Sequence, residues 1–298
     1  MKKRYSTDEP LLDQTRRLLR QYDLRARKRL GQHFLINREV LETLTGAADL
    51  SAADIALEVG PGLGVLTREL AEKAGWVIAV ELDDRLAAIL RQTLTSYHNV
   101  SIINRDIRES EPLSLIEAVE SSFPPAITDH RAYKLVANLP YYITAPVLRY
   151  FLEAALKPKI MVLTIQKEVA EAIVAGPGDM RLLSVSVQFY GKPEIIRIVP
   201  ARCFHPQPGV DSAVLKVTPY ASPAAAVTDV KGFFHLVKAG FSSPRKQLAN
   251  SLAQGLQVPR AAVLTMLAEV DIEPERRAGT MSVAEWTQLW QVYSRAGA

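Results

Sequence analysis

The chain has 298 residues, 48% hydrophobic and 23% charged, a composition that supports a sizeable globular core and excludes disorder as the dominant state. No apolar run approaches the roughly 18 residues of a membrane helix, and no apolar segment follows Met1-Lys2-Lys3-Arg4 to make a secretory signal. A single cysteine, Cys203, excludes a disulfide framework, and the five histidines never pair at metal-ligand spacing, so a cytoplasmic protein with no metal and no membrane contact is expected.

The formal net charge of +4 is unevenly placed: residues 1–30 hold ten Lys/Arg against four Asp/Glu, leaving −2 on the remainder. The densest stretch, Arg25-Ala26-Arg27-Lys28-Arg29, would attract a phosphate backbone, and it also reads as a solvated tail. From there, strand-like and helix-like segments alternate through roughly residue 220, the pattern of a parallel α/β sheet. Strands are expected over Ile55–Gly60, Trp76–Leu82, Val100–Asp106, Lys134–Pro140 and Ile160–Gln166. Helices are expected over Leu63–Ala74 and Asp83–Thr95; in the second, Leu86, Ile89, Leu90 and Leu94 share one face, and Asp83 or Asp84 suits the N-terminus. Residues 121–133 read as a polar connection. A helix over Gln166–Ala175 should stop at Gly176-Pro177-Gly178. Glu194–Val199 and Ser212–Thr218 could pair antiparallel at the end of the sheet. After Ala221-Ser222-Pro223-Ala224-Ala225-Ala226 the strand pattern ceases, and helices fit Val230–Phe241, Ser243–Gln254, Pro259–Ala268 and Val283–Ser294. Three regions follow: a basic arm over 1–27 that can be disordered, a main domain over 28–220 and a helical domain over 221–298.

The sharpest local signal is Ala56-Leu57-Glu58-Val59-Gly60-Pro61-Gly62-Leu63-Gly64, a buried strand running into a glycine-rich turn and a helix. A dinucleotide fingerprint would place its third glycine where Val65 stands, and no Gly-Lys-Ser/Thr follows to make a phosphate loop. A plain tight turn and a close approach of bare backbone to a ligand without phosphate both remain. Glu81, 21 residues after Gly60, ends the second expected strand and could accept hydrogen bonds from both ribose hydroxyls. Asp106 ends the third, placed for an adenine amine. A nucleoside at the carboxyl ends of parallel strands fits the open-sheet rule. Together these features resemble the class I S-adenosylmethionine-dependent methyltransferases, with their Rossmann-like sheet.

The fourth expected strand ends in Asn138-Leu139-Pro140-Tyr141-Tyr142, where Asn138 resembles the first residue of the [Asp/Asn/Ser]-Pro-Pro-[Tyr/Phe] element of amino-methyltransferases. An adenine amine is a poor nucleophile because its lone pair is delocalised into the ring. The Asn138 carbonyl and the backbone carbonyl of Leu139 or Pro140 could accept both amine protons and tilt the nitrogen toward tetrahedral. Tyr141 would stack on a base held out of its helix or loop. A strand end followed by a proline turn is the bland reading of the same segment. Cys203-Phe204-His205-Pro206-Gln207-Pro208 offers Phe204 as a second stacking face, although Phe204 taken alone reads as core.

In order, the motifs resemble the bacterial small-subunit ribosomal-RNA adenine N6-dimethyltransferase family. They are Lys28-Arg29-Leu30-Gly31-Gln32-His33-Phe34-Leu35, Glu58-Val59-Gly60-Pro61-Gly62, Glu81-Leu82-Asp83 and Asn138-Leu139-Pro140-Tyr141, then Gln166-Lys167-Glu168-Val169, Phe204 to Pro208, Val210-Asp211-Ser212-Ala213-Val214 and Phe241 to Leu252. The resemblance implies S-adenosylmethionine-dependent dimethylation of two adjacent adenosines in the 3′-terminal hairpin of 16S rRNA, within an immature small subunit, by a monomer. It implies cofactor contacts at His33, Leu35, Gly60, Glu81, Asp106 and Asn138, and a catalytic pocket of Asn138, Tyr141 and Phe204. The Gln32–Leu35 segment would close over the cofactor just before the first helix.

Three positions depart from the family pattern: His33 stands where asparagine is usual, Tyr142 follows Tyr141 where many members have asparagine, and Asp179-Met180-Arg181 replaces Tyr-Gly. Alternatives are a 23S rRNA adenine N6-methyltransferase of the macrolide-resistance type, disfavoured by Phe241–Leu252, and a non-catalytic nucleic-acid-binding factor, disfavoured by intact Asn138, Tyr141, Glu81 and Asp106. A small-molecule methyltransferase would have little use for the basic arm or for Lys238, Arg245 and Lys246.

Overall fold

A computed structural model describes residues 9–24, 32–222 and 227–295. In chain order the elements begin with α1 (Leu11–Gln21), β1 (Phe34–Leu35), α2 (Arg38–Ala48), β2 (Ile55–Val59), α3 (Val65–Lys73), β3 (Trp76–Glu81), α4 (Asp84–Thr93) and β4 (Val100–Asn104). Next come α5 (Pro112–Glu117), β5 (Tyr133–Asn138), α6 (Thr144–Glu153), β6 (Met161–Gln166), α7 (Lys167–Val174), α8 (Leu182–Gln188), β7 (Gly191–Val199), β8 (Phe204–His205) and β9 (Ser212–Pro219). Helices α9 (Val230–Gly240), α10 (Leu248–Leu256), α11 (Arg260–Ala268) and α12 (Val283–Arg295) complete the chain.

Seven strands form one sheet in the order β4-β3-β2-β5-β6-β9-β7, the Rossmann-like arrangement expected. Ladders β2–β3, β3–β4, β2–β5 and β5–β6 are parallel, and β9 joins antiparallel to β6, Met161 opposite Val217. Every residue of β2 and β3 is buried, as strands covered on both faces require. The order reverses between β2 and β5, so the carboxyl ends of those two strands flank the switch point where open α/β sheets bind ligands.

Strands stop where the chemistry changes. β2 ends at Val59 because Gly60 turns to positive φ, and β5 ends at Asn138, two residues before Pro140. β4 ends at Asn104, so Asp106 is not a strand residue; its carboxylate instead caps a short 3₁₀ turn, Ile107–Glu109, by accepting the Arg108 N–H. Asp83, rather than Asp84, caps α4 by accepting from Arg85 and Leu86 N–H. β7 is an edge strand with alternating burial. The arm is not wholly without structure: α1 is helical and buries Leu18 against Phe34, Leu63 and Leu86. A helix therefore precedes the Gln32–Leu35 segment as well as following it. The basic run Arg25–Arg29, and with it Lys28 to Gly31, lies outside the described residues.

The chain divides into two compact units, residues 1–170 with 194–219, and residues 171–193 with 220–298. Residues 171–193 thus group with the C-terminal helices and not with the strands on either side of them in sequence. In that second unit Phe189 stacks on Phe233 at 4.7 Å, and the fully buried Trp286 lies so close to Gly240 that a Cβ there would meet its ring at 2.3 Å. The Asp179-Met180-Arg181 departure makes an anchored turn. The N–H groups of Gly178 and Met180 both donate to the Gly279 carbonyl, Met180 is buried, and the Arg181 N–H donates to Ser184 Oγ at the start of α8.

Candidate active site

Beside the switch point the first unit carries a cleft of about 320 Å³, within the range of small-molecule sites. All the residues singled out from the sequence, His33, Leu35, Gly60, Glu81, Asp106, Asn138, Tyr141 and Phe204, line it. Its floor is the turn after β2, where Gly60, Gly62 and Gly64 have φ of +69°, +60° and +76°, values that L side chains resist. A Cβ on Gly62 would sit 3.3 Å from the Phe34 ring, a tight contact to which the ring would have to give by a few tenths of an ångström.

Glu81 holds this turn in place. Its buried carboxylate accepts the Gly62 N–H at 3.1 Å through Oε2 and the Asp83 N–H at 2.9 Å through Oε1. Burial nevertheless raises its pKa, the two backbone donors offsetting only part of the desolvation. A second carboxylate, Glu58, stands on β2 in a residue that is 1% exposed. Among the described residues nothing meets hydrogen-bond geometry at Glu58 Oε2. Burial pushes its pKa up to about 8, with the Glu81 charge adding to the effect and the nearby Thr67 hydroxyl and Arg68 pulling the other way. Asp106 has the opposite environment. The Arg108 guanidinium grips it through Nε at 3.0 Å and Nη2 at 2.6 Å, and holds its carboxyl below the usual range.

Across the switch point, Asn138 Nδ2 donates to the His33 carbonyl at 3.0 Å. That bond fixes the amide's orientation and leaves Oδ1 as its remaining acceptor. The His33 ring bonds elsewhere: Nδ1 lies 2.7 Å from the Pro206 carbonyl, which can only accept, so Nδ1 carries the proton. The ring also lies 5.7 Å from that of Tyr141 at 30°. Tyr141 in turn anchors its hydroxyl on Ser212 Oγ at 2.8 Å, and burial raises its pKa. Phe204 is 3% exposed and belongs to the core cluster that includes Leu35, while still lining the cleft.

The two-residue ladder β1–β8, Phe34 opposite His205 and Leu35 opposite Phe204, brings the two segments together. Asp211 Oδ1 pins the start of the intervening loop by accepting the Ala201 N–H. Sequence reasoning did not supply Ser212, the His33–Pro206 bond, the Arg108 grip or the buried state of Glu58. Ser212 and Glu58 lay inside quoted motifs and Arg108 stands two residues from Asp106, whereas the His33–Pro206 bond spans 173 residues and no local pattern names it. Among the described residues no group of three His, Cys, Asp or Glu side chains is placed to hold a metal ion, and no helix is long and apolar enough to cross a membrane.

Known proteins resemble this chain along nearly its whole length. The family model for ribosomal RNA adenine dimethylase matches residues 23–295. The ribosomal RNA small subunit methyltransferase A of Dehalococcoides mccartyi is 50% identical over 285 residues, covering 95% of this chain and 94% of that protein. The protein of that name from Enterococcus faecalis is 39% identical over 280 residues, with 92% of each covered. Among solved structures, the 23S rRNA methyltransferase ErmE aligns at a TM-score of 0.67 with 27% identity, over 88% of this chain and 99% of its own. A dimethyladenosine transferase from Plasmodium falciparum, 24% identical over 89% of this chain and 98% of its own, shares the fold at a TM-score of 0.73. A family model matching residues 23–295 and a relative 50% identical over 95% of the chain agree, and the chain belongs to the ribosomal RNA adenine dimethylase family.

Proposed function

We propose that the chain dimethylates the N6 amines of two adjacent adenosines in the 3′-terminal hairpin of 16S rRNA, acting as a cytoplasmic monomer on an immature small subunit. The observation that carries the reading is the Asn138 amide, fixed by the His33 carbonyl so that Oδ1 remains as acceptor at the end of β5. The 50% identity to a small-subunit enzyme, against 27% to the 23S enzyme ErmE, favours the small-subunit substrate.

The donor is S-adenosylmethionine, which when bound supplies a methyl group on a positively charged sulfonium. The residues present fit it. Gly60 and Gly62 leave the backbone bare, Glu81 offers buried carboxylate oxygens for ribose hydroxyls, and Asp106 offers acceptors for an adenine amine that would share the carboxylate with Arg108. His33 and Leu35 contribute from the β1 segment above the turn. On the RNA side, Asn138 Oδ1 and the carbonyl of Leu139 or Pro140 would accept the two protons of the target amine. Held so, the nitrogen loses conjugation with its ring and its lone pair is freed for attack. Tyr141, immobilised by Ser212, presents a ring for stacking, and Phe204 is among the residues that line the same cleft. Positioning and carbonyl dipoles carry the rate in this scheme; no strong base is needed before transfer.

Labelled S-adenosylmethionine offered in parallel to unmethylated small subunits, large subunits and free rRNA tests the reading. Primer extension should stop at two adjacent adenosines near the 16S 3′ end, because dimethylation removes both N6 donors. Label in 23S rRNA instead would overturn it.

A further inference from the structure

The catalytic reading assigns Tyr141 and leaves its neighbour without a task. Tyr142 lies in the cleft mouth with half of its surface exposed (52%), more than any other large hydrophobic side chain described. Tyr141 and Tyr142 share one 3₁₀ turn, Tyr141–Ile143, in which successive side chains diverge by about 120°. With the Tyr141 hydroxyl tied inward to Ser212, Tyr142 is directed to a different side of the turn, and the two rings cannot stack on the same base. Two exposed arginines, Arg105 and Arg108, line the same mouth, and Arg108 lies within electrostatic reach of the Tyr142 hydroxyl. Arg108 is held by Asp106, so its guanidinium is already oriented when a ligand arrives.

An exposed ring with two arginines beside it, Arg108 oriented by the Asp106 carboxylate, offers what single-stranded nucleotides bind: a π-face for the base and guanidinium N–H groups for its phosphate. We propose that Tyr142, with Arg105 and Arg108, is a stacking platform for the nucleotide next to the adenosine being methylated. The proposal rests on the reading of rRNA as substrate. It also accounts for how one pocket could serve two adjacent targets. Whichever adenosine enters, its neighbour stacks outside, and a base already dimethylated keeps its π-face even though it has lost its amine donors.

The test compares wild type with Tyr142→Ala and Tyr142→Phe on small subunits reconstituted with 16S rRNA. The rRNA either is intact or carries, by splinted ligation, an abasic residue on one side or the other of the target. Base–aromatic stacking of about 1–3 kcal/mol corresponds to roughly 5- to 150-fold. Tyr142→Ala should therefore lower kcat/KM by about that factor, mainly through KM, with the S-adenosylmethionine Kd unchanged. Tyr142→Phe should stay within about twofold of wild type, since the ring and not the hydroxyl is needed. An abasic neighbour should cost wild type a similar factor and cost Tyr142→Ala little more, because the two changes remove one interaction. The proposal falls if Tyr142→Ala matches wild type, if it loses cofactor affinity, or if the abasic penalty is the same in both proteins. Failure of the underlying reading is separable: wild type itself would then leave the intact small subunits unmethylated.

Discussion

Glu58 makes the first compact unit sensitive to pH in a direction opposite to most carboxylates. Buried, with a folded pKa of about 8 against 4.5 in the open, it keeps its proton in the folded state where the unfolded chain gives it up. The unfolded state therefore binds fewer protons between those values, and stability falls as pH rises through the window. Each unit is worth about 1.4 kcal/mol, so the unrelaxed penalty is on the order of 4 kcal/mol by pH 8 and constant above it. That is a large part of the 5–15 kcal/mol by which domains are ordinarily stable. Glu58→Gln keeps the shape and removes the charge. In urea unfolding at pH 5, 6.5, 8 and 9, the variant should gain on wild type by about 2–4 kcal/mol between pH 5 and 8, then hold a constant lead. Curves that stay parallel across the whole range would refute the claim that this carboxyl is protonated in the fold.

Other outcomes follow from single contacts. Asn138→Ala should abolish methyl transfer while RNA binding and fold survive, read by filter binding beside a turnover assay. Gly62→Ala places a Cβ at φ +60° and 3.3 Å from Phe34, so a stability loss of about 1–2 kcal/mol and weaker cofactor binding should appear in thermal unfolding and calorimetry. Leu18→Ala should free α1 locally: hydrogen exchange over residues 11–21 should speed up while the amides of β2 and β3 stay protected. Glu285, gripped by Arg276 and by the Ser282 N–H and hydroxyl, has its pKa held down to about 2. Its folded pKa is depressed, so its stabilisation is full above about pH 4.5 and is lost as pH falls toward 2. Glu285→Gln should therefore cost roughly 1–3 kcal/mol at pH 7 and almost nothing at pH 2, measured by urea unfolding.

The elements legible in the sequence are those whose cause is local. The apolar runs of β2, β3, β5 and β6 and the capped, one-sided face of α4 are written in consecutive residues, and each forms within two residues of its expected ends. The glycine-rich turn and the Asn-Leu-Pro-Tyr step were equally readable, because positive φ and a proline stop are properties of the residues themselves. Asp106 shows the limit. The strand pattern over Val100–Asp106 suggested a strand end, but the ladder stops at Asn104 and the Asp106 carboxylate caps a 3₁₀ turn by accepting the backbone N–H of Arg108. What joins the site together was not legible at all. The Asn138–His33 bond spans 105 residues and the His33–Pro206 bond 173, and neither leaves a trace in periodicity. The same holds for residues 171–193, whose allegiance to the C-terminal helices comes from buried rings such as Phe189 against Phe233.

The β1–β8 ladder bears on the order in which a working enzyme can appear during synthesis. Phe34 and Leu35 leave the exit tunnel early, but their partners His205 and Phe204 are made about 170 residues later. At roughly 5–20 residues per second that interval is on the order of ten to thirty seconds, long enough for β2 to β6 to pair while the roof of the cleft has nothing to lie against. A nascent chain can therefore pair its five parallel strands well before β1 finds its partner, while β9 completes the sheet only after β8 has been made. Until residues 204–212 are made, Leu35, the His33 ring and the Tyr141 hydroxyl all lack the partners that hold them in the finished protein.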